Sequence, residues 1–308
     1  GSSTGVVYQL YRGTKSVGNV VSGTGSNFDM GLQDTAGIYS VIAVASGSLC
    51  SNNMNGTATI SVNALPAVVN VTGGGSFCSG GTGVHIGLST STTGISYQLY
   101  KGTSAAGSPF SGTGSALDFG LITSSGTYTV VAANATSGCT ASMSGSAAVT
   151  VNPLPVAYNV NGGGSYCYSG SGVPVGLTGS ETSVNYQLYR GTTTVGSPVS
   201  GTGAALSFGS QATAGSYAVQ AVNTITGCTS AMTGTSAVSV NALPSVYSVT
   251  GGGAYCSGSG GVAIGLSNSQ TGISYQLYKG GAASGTTVSG TGSTISFGLK
   301  TVADTYTV

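Results

Sequence analysis

The chain repeats itself every 89 residues. The phrase YQLY marks this period, and its first tyrosine stands at Tyr8, Tyr97, Tyr186 and Tyr275. A period of this length exceeds the roughly 20–50 residues of a solenoid repeat and suits a small domain with its own core. The sequence therefore predicts a tandem array of separately folded repeats.

Short linkers, ALP or PLP, divide the array. They predict two complete repeats, 67–155 and 156–244, between two partial ones, 1–66 and 245–308. We expect the first partial repeat to lack N-terminal strands and the last to lack C-terminal strands. Because Pro fixes its own φ and restricts the residue before it, we expect stiff connections between neighbouring repeats.

Short runs of alternating apolar residues predict strands. In the repeat 67–155, VHIGLS places Ile86 and Leu88 on one face, and ISYQLYKG places Tyr97 and Leu99 on one face. Gly, Ser, Thr and Asn separate about seven such runs in each repeat, and no stretch has a helical period. The pattern predicts an all-β protein, a tandem array of antiparallel β-sandwiches.

The tyrosines of YQLY have two interpretations. Tyr97 shares a face with Leu99, which favours a place in the core, but a repeated tyrosine can also be a platform for stacking sugars. The second tyrosine of the phrase lies on the opposite face of the strand. The candidate glycan contacts are therefore Tyr100, Tyr189 and Tyr278.

Charged residues make up only 4% of the chain, and the net charge is +1. A typical soluble domain has about a quarter. A chain with so few charged residues lacks the basic surface patch that binds nucleic acid or anionic lipid. The apolar runs are far shorter than the roughly 20 residues of a membrane helix, so we expect no membrane insertion in this segment.

The sequence predicts no enzyme, metal site or cofactor. The five acidic residues fall at scattered positions of the period, so no repeat has a carboxylate pair for acid–base catalysis. They are Asp29, Asp34, Asp118, Glu181 and Asp304. The single histidine, His85, has no counterpart in the other repeats, and no CxxC motif suggests zinc.

Each period carries two cysteines, one in phrases such as GGGSFC and one in phrases such as SGC. Regular, even cysteine usage indicates disulfides formed in an oxidising compartment, and hence an extracellular protein.

Two pairings of the cysteines are open. The favoured one joins cysteines within a repeat, as Cys78–Cys139 and Cys167–Cys228, with Cys50 and Cys256 paired outside the segment. The alternative crosses the linkers and uses all six, as Cys50–Cys78, Cys139–Cys167 and Cys228–Cys256.

A further tyrosine recurs at the start of a late strand, in AGIYSV, SGTYTV, AGSYAV and ADTYTV. Its four copies are Tyr39, Tyr128, Tyr217 and Tyr306. The position resembles the tyrosine corner of immunoglobulin-like folds, in which the hydroxyl bonds to a nearby backbone group.

The motifs GGGSYC, YQLY and GC, followed by a terminal AVxVNxLP, together resemble the Ig-like repeats of large secreted surface proteins of Bacteroidota. That group includes adhesins exported by the type IX secretion system and associated with gliding motility. The resemblance implies an extracellular adhesin or filament whose repeats form a stalk, and whose two cysteines in each repeat are bonded to each other. The chain departs from the group at Leu99 and Leu188, where members often have Trp, and it contains no type IX sorting domain.

Two functions follow as hypotheses. The first is a structural stalk or filament segment built from interchangeable repeats. The second is an array of carbohydrate-binding modules that gains avidity through repetition. The expected partners are neighbouring repeats, surface glycans, and further copies that pair laterally or end to end into fibres, because uncharged edge strands are open to such pairing.

Overall fold

The structure, a computed structural model, describes residues 1–308. Every regular element is a β-strand, and the sheets are mainly antiparallel, which confirms the predicted fold class. The chain divides into two compact units, residues 1–153 and 154–308. Each unit contains one partial and one complete repeat, and no sheet combines strands from two repeats.

The first partial repeat forms one sheet of five strands. They are β1 (Val6–Arg12), β2 (Lys15–Ser22), β3 (Gly37–Ala45), β4 (Ser51–Asn53) and β5 (Ala58–Ile60). The order is β2-β1-β3-β4, and β5 also pairs with β3.

The complete repeat 67–155 has ten strands in two sheets. They are β6 (Val71–Gly73), β7 (Gly75–Cys78), β8 (Val84–Leu88), β9 (Ile95–Lys101), β10 (Ser104–Ala105), β11 (Phe110–Ser111), β12 (Leu117–Ile122), β13 (Gly126–Asn134), β14 (Thr140–Ser142) and β15 (Ala147–Asn152). The larger sheet has the order β10-β9-β13-β15-β7, with β11 on β9 and β14 on β13, and the smaller has the order β12-β8-β6. All pairs are antiparallel except β15 with β7.

The complete repeat 156–244 has the same topology. Its strands are β16 (Val160–Gly162), β17 (Gly164–Cys167), β18 (Val173–Leu177), β19 (Val184–Arg190), β20 (Thr193–Ser200), β21 (Leu206–Gln211), β22 (Gly215–Asn223), β23 (Thr229–Ala231) and β24 (Ser236–Asn241). The larger sheet is ordered β17-β24-β22-β19-β20, with β23 on β22, and the smaller is ordered β16-β18-β21. Here the parallel pair is β17 with β24.

The last partial repeat forms three small sheets. Its strands are β25 (Val249–Gly251), β26 (Val262–Leu266), β27 (Ser274–Tyr275), β28 (Tyr278–Lys279), β29 (Ala282–Ala283), β30 (Val288–Ser289), β31 (Ile295–Lys300) and β32 (Tyr306–Thr307). The sheets are β25-β26-β31, β27-β30 and β29-β28-β32.

Each complete repeat buries its own apolar core. In 67–155 the core face of β9 holds Tyr97 and Leu99, 0% and 2% exposed, and Val130 of β13 is fully buried beside them. These side chains alternate with half-buried or exposed ones along each strand, as the sequence predicts. The core interpretation of the first tyrosine in YQLY is therefore confirmed. Burial of each such side chain stabilises the repeat by about 1.5–3 kcal/mol.

The polar atoms of YQLY bond within the same repeat. The Tyr97 hydroxyl accepts the backbone N–H of Thr92 at 2.9 Å, and the Gln98 side chain donates to the carbonyls of Leu99 and Gly107. The corresponding tyrosine and glutamine bonds recur in every repeat. The phrase is repeated because each repeat needs one large buried aromatic ring. Each repeat also needs a side chain that donates hydrogen bonds to the backbone carbonyls at the turn beyond the strand.

A buried serine fastens the loop before β9 to the loop before β12. Ser91 is 4% exposed; its hydroxyl donates to the Ser115 carbonyl at 2.7 Å and accepts the Thr113 N–H at 2.9 Å. Between these loops, a side chain at Gly112 would collide with the carbonyl oxygen of Thr92. Glycine is therefore required there because two backbone segments meet.

The recurring tyrosine of the late strand bonds to the carbonyl four residues before it. The acceptors of Tyr39, Tyr128, Tyr217 and Tyr306 are Thr35, Ser124, Thr213 and Val302, at 2.7, 2.8, 2.8 and 2.9 Å. Tyr128 and Tyr217 are 2% and 1% exposed. This is the geometry of a tyrosine corner, and it anchors the turn that leads into β13 and its counterparts.

Burial of Tyr128 makes the stability of the repeat depend on pH in the alkaline range. Desolvation raises the pKa of the Tyr128 hydroxyl, and its hydrogen bond to Ser124 offsets part of that rise. The folded repeat therefore holds this proton more tightly than the unfolded chain. The resulting stability is fully present below the ordinary tyrosine pKa of about 10, and it is lost as pH rises through the raised pKa.

We predict that the urea midpoint of the protein falls as pH rises above about 10, and that the fall is smaller in Tyr128→Phe. The variant also loses the hydrogen bond to Ser124, which lowers its stability at neutral pH by about 1 kcal/mol. Unfolding would be followed by circular dichroism at a series of pH values.

Tyr168→Phe is the matched control, because this tyrosine is 66% exposed. In this variant the urea midpoint at neutral pH should equal that of the unaltered protein. The fall of the midpoint at alkaline pH should also be the same. An alkaline fall of equal size in Tyr128→Phe would contradict the role assigned to Tyr128.

Candidate functional site

The second tyrosine of YQLY lies on the outer face of the larger sheet. Tyr100 and Tyr189 are half-buried, and Tyr278 is 39% exposed. The Tyr189 hydroxyl donates to the side-chain oxygen of Gln220 at 3.4 Å. Each repeat thus presents one aromatic ring per period on this face, partly covered by its neighbours in the sheet.

A side-chain contact joins two residues, His85 and Asp118, that lie far apart in the sequence. His85 Nδ1 lies 2.8 Å from Asp118 Oδ2, and the two side chains are 63% and 58% exposed. The antiparallel pairing of β8 with β12 brings them together across 33 positions of sequence. An exposed pair of this kind contributes little stability. The positions equivalent to Asp118 are Asp29, Ser207 and Ser296, but His85 is the only histidine of the chain, so the pair belongs to one repeat only.

The described residues contain no group of three or more His, Cys, Asp or Glu side chains close enough to hold a metal ion. Clefts open in both partial repeats, beside Tyr8 and Phe28 in the first and beside Val249 and Ile264 in the last. Among the elements there is no helix of the length and apolarity needed to cross a membrane.

Cys78 lies at the end of its repeat where the last strand stops. It is the final residue of β7, which pairs in parallel with β15, and it stands opposite Asn152. The next amide, Ser79 N–H, donates to the Asn152 carbonyl at 2.8 Å. Cys78 is therefore level with the residue that precedes the linker PLP.

Cys139 lies at the other end of the same repeat. Its carbonyl accepts the N–H of Asn134, the last residue of β13, at 2.9 Å. Its thiol lies 3.9 Å from the carbonyl oxygen of Asn63, shortly before the preceding linker. This end of the repeat faces the repeat before it.

The pairing expected within a repeat does not form. The strand β13 spans nine residues, about 30 Å, and Cys78 lies beyond its start whereas Cys139 lies beyond its end. A disulfide needs Cα atoms within about 7 Å. Accordingly Cys139 and Cys167 are free thiols, which corrects the predicted bridges Cys78–Cys139 and Cys167–Cys228.

The alternative pairing across the linkers does not form either. Each of its three bridges requires at least one of Cys50, Cys139, Cys167 and Cys256, all of which are free thiols in the structure. Cys78 and Cys228 are disulfide-bonded. The sequence could not show that both expected pairings fail, because the parallel register of β7 on β15 decides which end of the repeat each cysteine occupies.

Comparison with known structures finds weak likenesses. A mouse coronavirus receptor-binding domain complexed with its murine receptor is 13% identical, with 56% of this chain and 100% of that chain covered and a TM-score of 0.32. Murine CEACAM1b is 12% identical, with the same coverage and a TM-score of 0.30. Immunoglobulin domains 1–4 of Sidekick-1 are 12% identical, with 91% and 78% covered and a TM-score of 0.24. Likenesses at this level carry no functional inference.

A search of curated protein sequences finds no significant match. A comparison with protein families does find one, the Ig-like domain described as CHU_C-associated, over residues 66–153. The matched stretch coincides with the repeat 67–155 to within two residues at either end. Residues 66–153 are therefore similar to the CHU_C-associated Ig-like domains, a family associated with Bacteroidota.

Proposed function

We propose that this protein is a structural segment, a stalk or filament, of an extracellular bacterial surface protein. The observation that carries the proposal is that the recurring side chains are used inside each repeat. Tyr97 and Leu99 fill the core, Ser91 joins two loops, and Tyr128 anchors a turn. Selection for these positions therefore maintains a fold that can be copied, as a spacer of adjustable length requires.

The family match and the low charge of the chain support the proposal of an extracellular structural segment. The CHU_C-associated family suggests a cell-surface or secreted protein, and Ig-like domains of this kind are typically non-catalytic. The His85–Asp118 pair occurs in a single repeat and is exposed to solvent, so it gives the array no shared chemistry. A chain with only 4% charged residues offers little electrostatic attraction to passing ligands.

The stalk proposal predicts that length follows repeat number. Insertion of a second copy of 156–244 after Pro244 should increase the maximum dimension by one repeat, roughly 30–45 Å for a nine-residue strand with its turns. Small-angle X-ray scattering of the oxidised protein measures this dimension. Insertion of a third copy should add the same increment again. A maximum dimension that does not grow with each copy would overturn the proposal.

A second candidate function is multivalent carbohydrate binding. It is favoured by the outward tyrosine at the same place in successive repeats, of which Tyr278 is 39% exposed. Under this hypothesis the combined substitution of Tyr100, Tyr189 and Tyr278 by Ser abolishes retention on immobilised bacterial polysaccharide, because a stacking ring is lost in each repeat. The single substitution Tyr168→Ser, in an exposed loop, is the control. Absence of retention by the unaltered protein would contradict the carbohydrate-binding hypothesis.

We also propose that further copies pair through sheet edges. The strand β21 lies at an edge of its sheet and has the sequence LSFGSQ, without a charged residue; charge at an edge normally opposes such pairing. We predict the same association state in about 0.05 M and about 1 M salt, because screening has almost no charge to act on. Sedimentation velocity tests this, and Ser207→Lys on β21 should reduce any association. A strong salt dependence would contradict a neutral interface.

A further inference from the structure

We infer that Asn55 is a site of spontaneous chemical modification, at which the asparagine side chain closes onto the backbone of Gly56 and is converted to aspartate or isoaspartate. Asparagine is among the chemically labile residues of proteins. The chain has two Asn-Gly sequences, Asn55–Gly56 and Asn161–Gly162. The first lies between strands and the second lies inside one, so their backbones are held differently.

The reaction depends on the residue that follows the asparagine. The backbone nitrogen of that residue attacks the side-chain carbonyl carbon, Cγ, and a ring of five atoms forms. Glycine has no Cβ, so it obstructs this approach less than any other residue and leaves the backbone the most freedom. Both Asn-Gly sequences meet this requirement, and the dipeptide alone does not distinguish them.

Ring closure also requires a particular backbone torsion. The five-membered ring brings the attacking nitrogen into the plane of Cβ, Cα and the carbonyl carbon, so the torsion Cβ–Cα–C–N must approach zero. In a strand, ψ of about +135° holds that torsion roughly 100° away from zero. An asparagine in a paired strand must therefore leave the strand conformation before it can react.

Asn161 lies inside such a strand. It is the middle residue of β16, where it pairs with Gly176 of β18, and Gly162 pairs with Val175. A side chain at Gly162 would collide with the carbonyl oxygen of Pro174, so this backbone is packed closely against its neighbour. Asn161 is exposed, but its backbone has the geometry that opposes ring closure.

Asn55 lies in the loop that connects β4 to β5, and both of these strands pair with β3. On one side of the loop, Met54 N–H donates to the Val41 carbonyl at 2.8 Å. On the other side, Ala58 pairs with Tyr39. The loop can therefore change its torsions while both of these contacts remain.

The surroundings of the loop leave room for the ring. Asn55 and Gly56 are both exposed to solvent. The φ of Gly56 is 89°, and a side chain at this glycine would meet no atom within 4 Å. Exposure is thus common to the two Asn-Gly sequences, whereas an unpaired backbone and open space belong to Asn55.

The reaction needs no partner except water. As the bond between the Gly56 nitrogen and Asn55 Cγ forms, that nitrogen loses its proton and the side-chain amide leaves as ammonia. Water then opens the cyclic imide at one of its two carbonyl carbons. One opening yields aspartate, and the other yields isoaspartate, in which the backbone continues through the former side chain. One water is consumed, one ammonia is released, and nothing is oxidised or reduced.

The product adds a negative charge to a chain that has few. The new carboxylate is ionised at neutral pH, so the net charge changes from +1 to zero. Asn55 lines the cleft beside Tyr8 and Phe28, and the charge is introduced there. An extracellular stalk that is not replaced would accumulate this change with age. That meaning rests on the proposed function, whereas the chemistry rests on the loop alone.

Ageing of the full chain at neutral pH tests the inference. After reduction, trypsin places Asn55 in the peptide 16–101 and Asn161 in the peptide 102–190. Tandem mass spectrometry measures the conversion at each asparagine, with an unaged sample digested in parallel. We expect Asn55 to convert at least roughly tenfold faster than Asn161, because Asn161 reacts only after local opening of β16. Equal rates in the folded chain, or no conversion of Asn55, would overturn the inference.

The same measurement in concentrated urea separates the effect of the fold from that of the dipeptide. In the unfolded chain β16 no longer restrains Asn161, and both residues are followed by glycine. We therefore expect the two rates to become similar. A preference for Asn55 that persists in urea would show that the loop is not its cause.

A pair of variants assigns the new charge to one residue. Asn55→Gln should abolish the acidic shift of the aged protein in isoelectric focusing, because glutamine would have to close a ring of six atoms. Asn161→Gln is the matched control and should keep the shift. An undiminished shift in Asn55→Gln would contradict the assignment. Since these readouts do not depend on molecular length, they can fail while the scattering test of the stalk succeeds, and the two results remain distinguishable.

Discussion

The pairing of β9 with β13 is the interaction on which each repeat depends. Seven residue pairs run from Tyr128 opposite Lys101 to Asn134 opposite Ile95. On the core side this register stacks Tyr97 and Leu99 against Val130 and Ala132, all at most 2% exposed. The turns and loops attach to this pair of strands by side-chain bonds, and the smaller sheet closes over its apolar face.

The recurring residues divide into those that bond within one sandwich and the cysteines, which lie at its ends. Tyr97, Gln98, Ser91 and Tyr128 act within one sandwich, and their counterparts do the same in the other repeats. The cysteines are different, because each lies at an end of the repeat and is separated by the length of a strand from the other cysteine of its period. The two cysteines of one period therefore cannot bridge each other, since a disulfide needs Cα atoms within about 7 Å.

The sequence was sufficient for most of the fold because period and alternation are local patterns. The 89-residue spacing implies equivalent repeats, and alternation along β9 and β13 is enough to assign Tyr97, Leu99 and Val130 to the core. The cysteine pairing could not be obtained in this way. It depends on β7, a four-residue strand that returns to pair in parallel with the last strand of the repeat, and no local pattern encodes such a non-local parallel register.

The sequence by itself determined that this chain is a neutral array of all-β repeats with an internal tyrosine corner and two cysteines per period. Only the tertiary structure decided where those cysteines lie, and it also brought His85 to Asp118 across two strands. The physical reason is the same in both cases. Alternation along one strand fixes which face a side chain occupies, whereas the hydrogen-bonded register between strands fixes which distant residue stands opposite it.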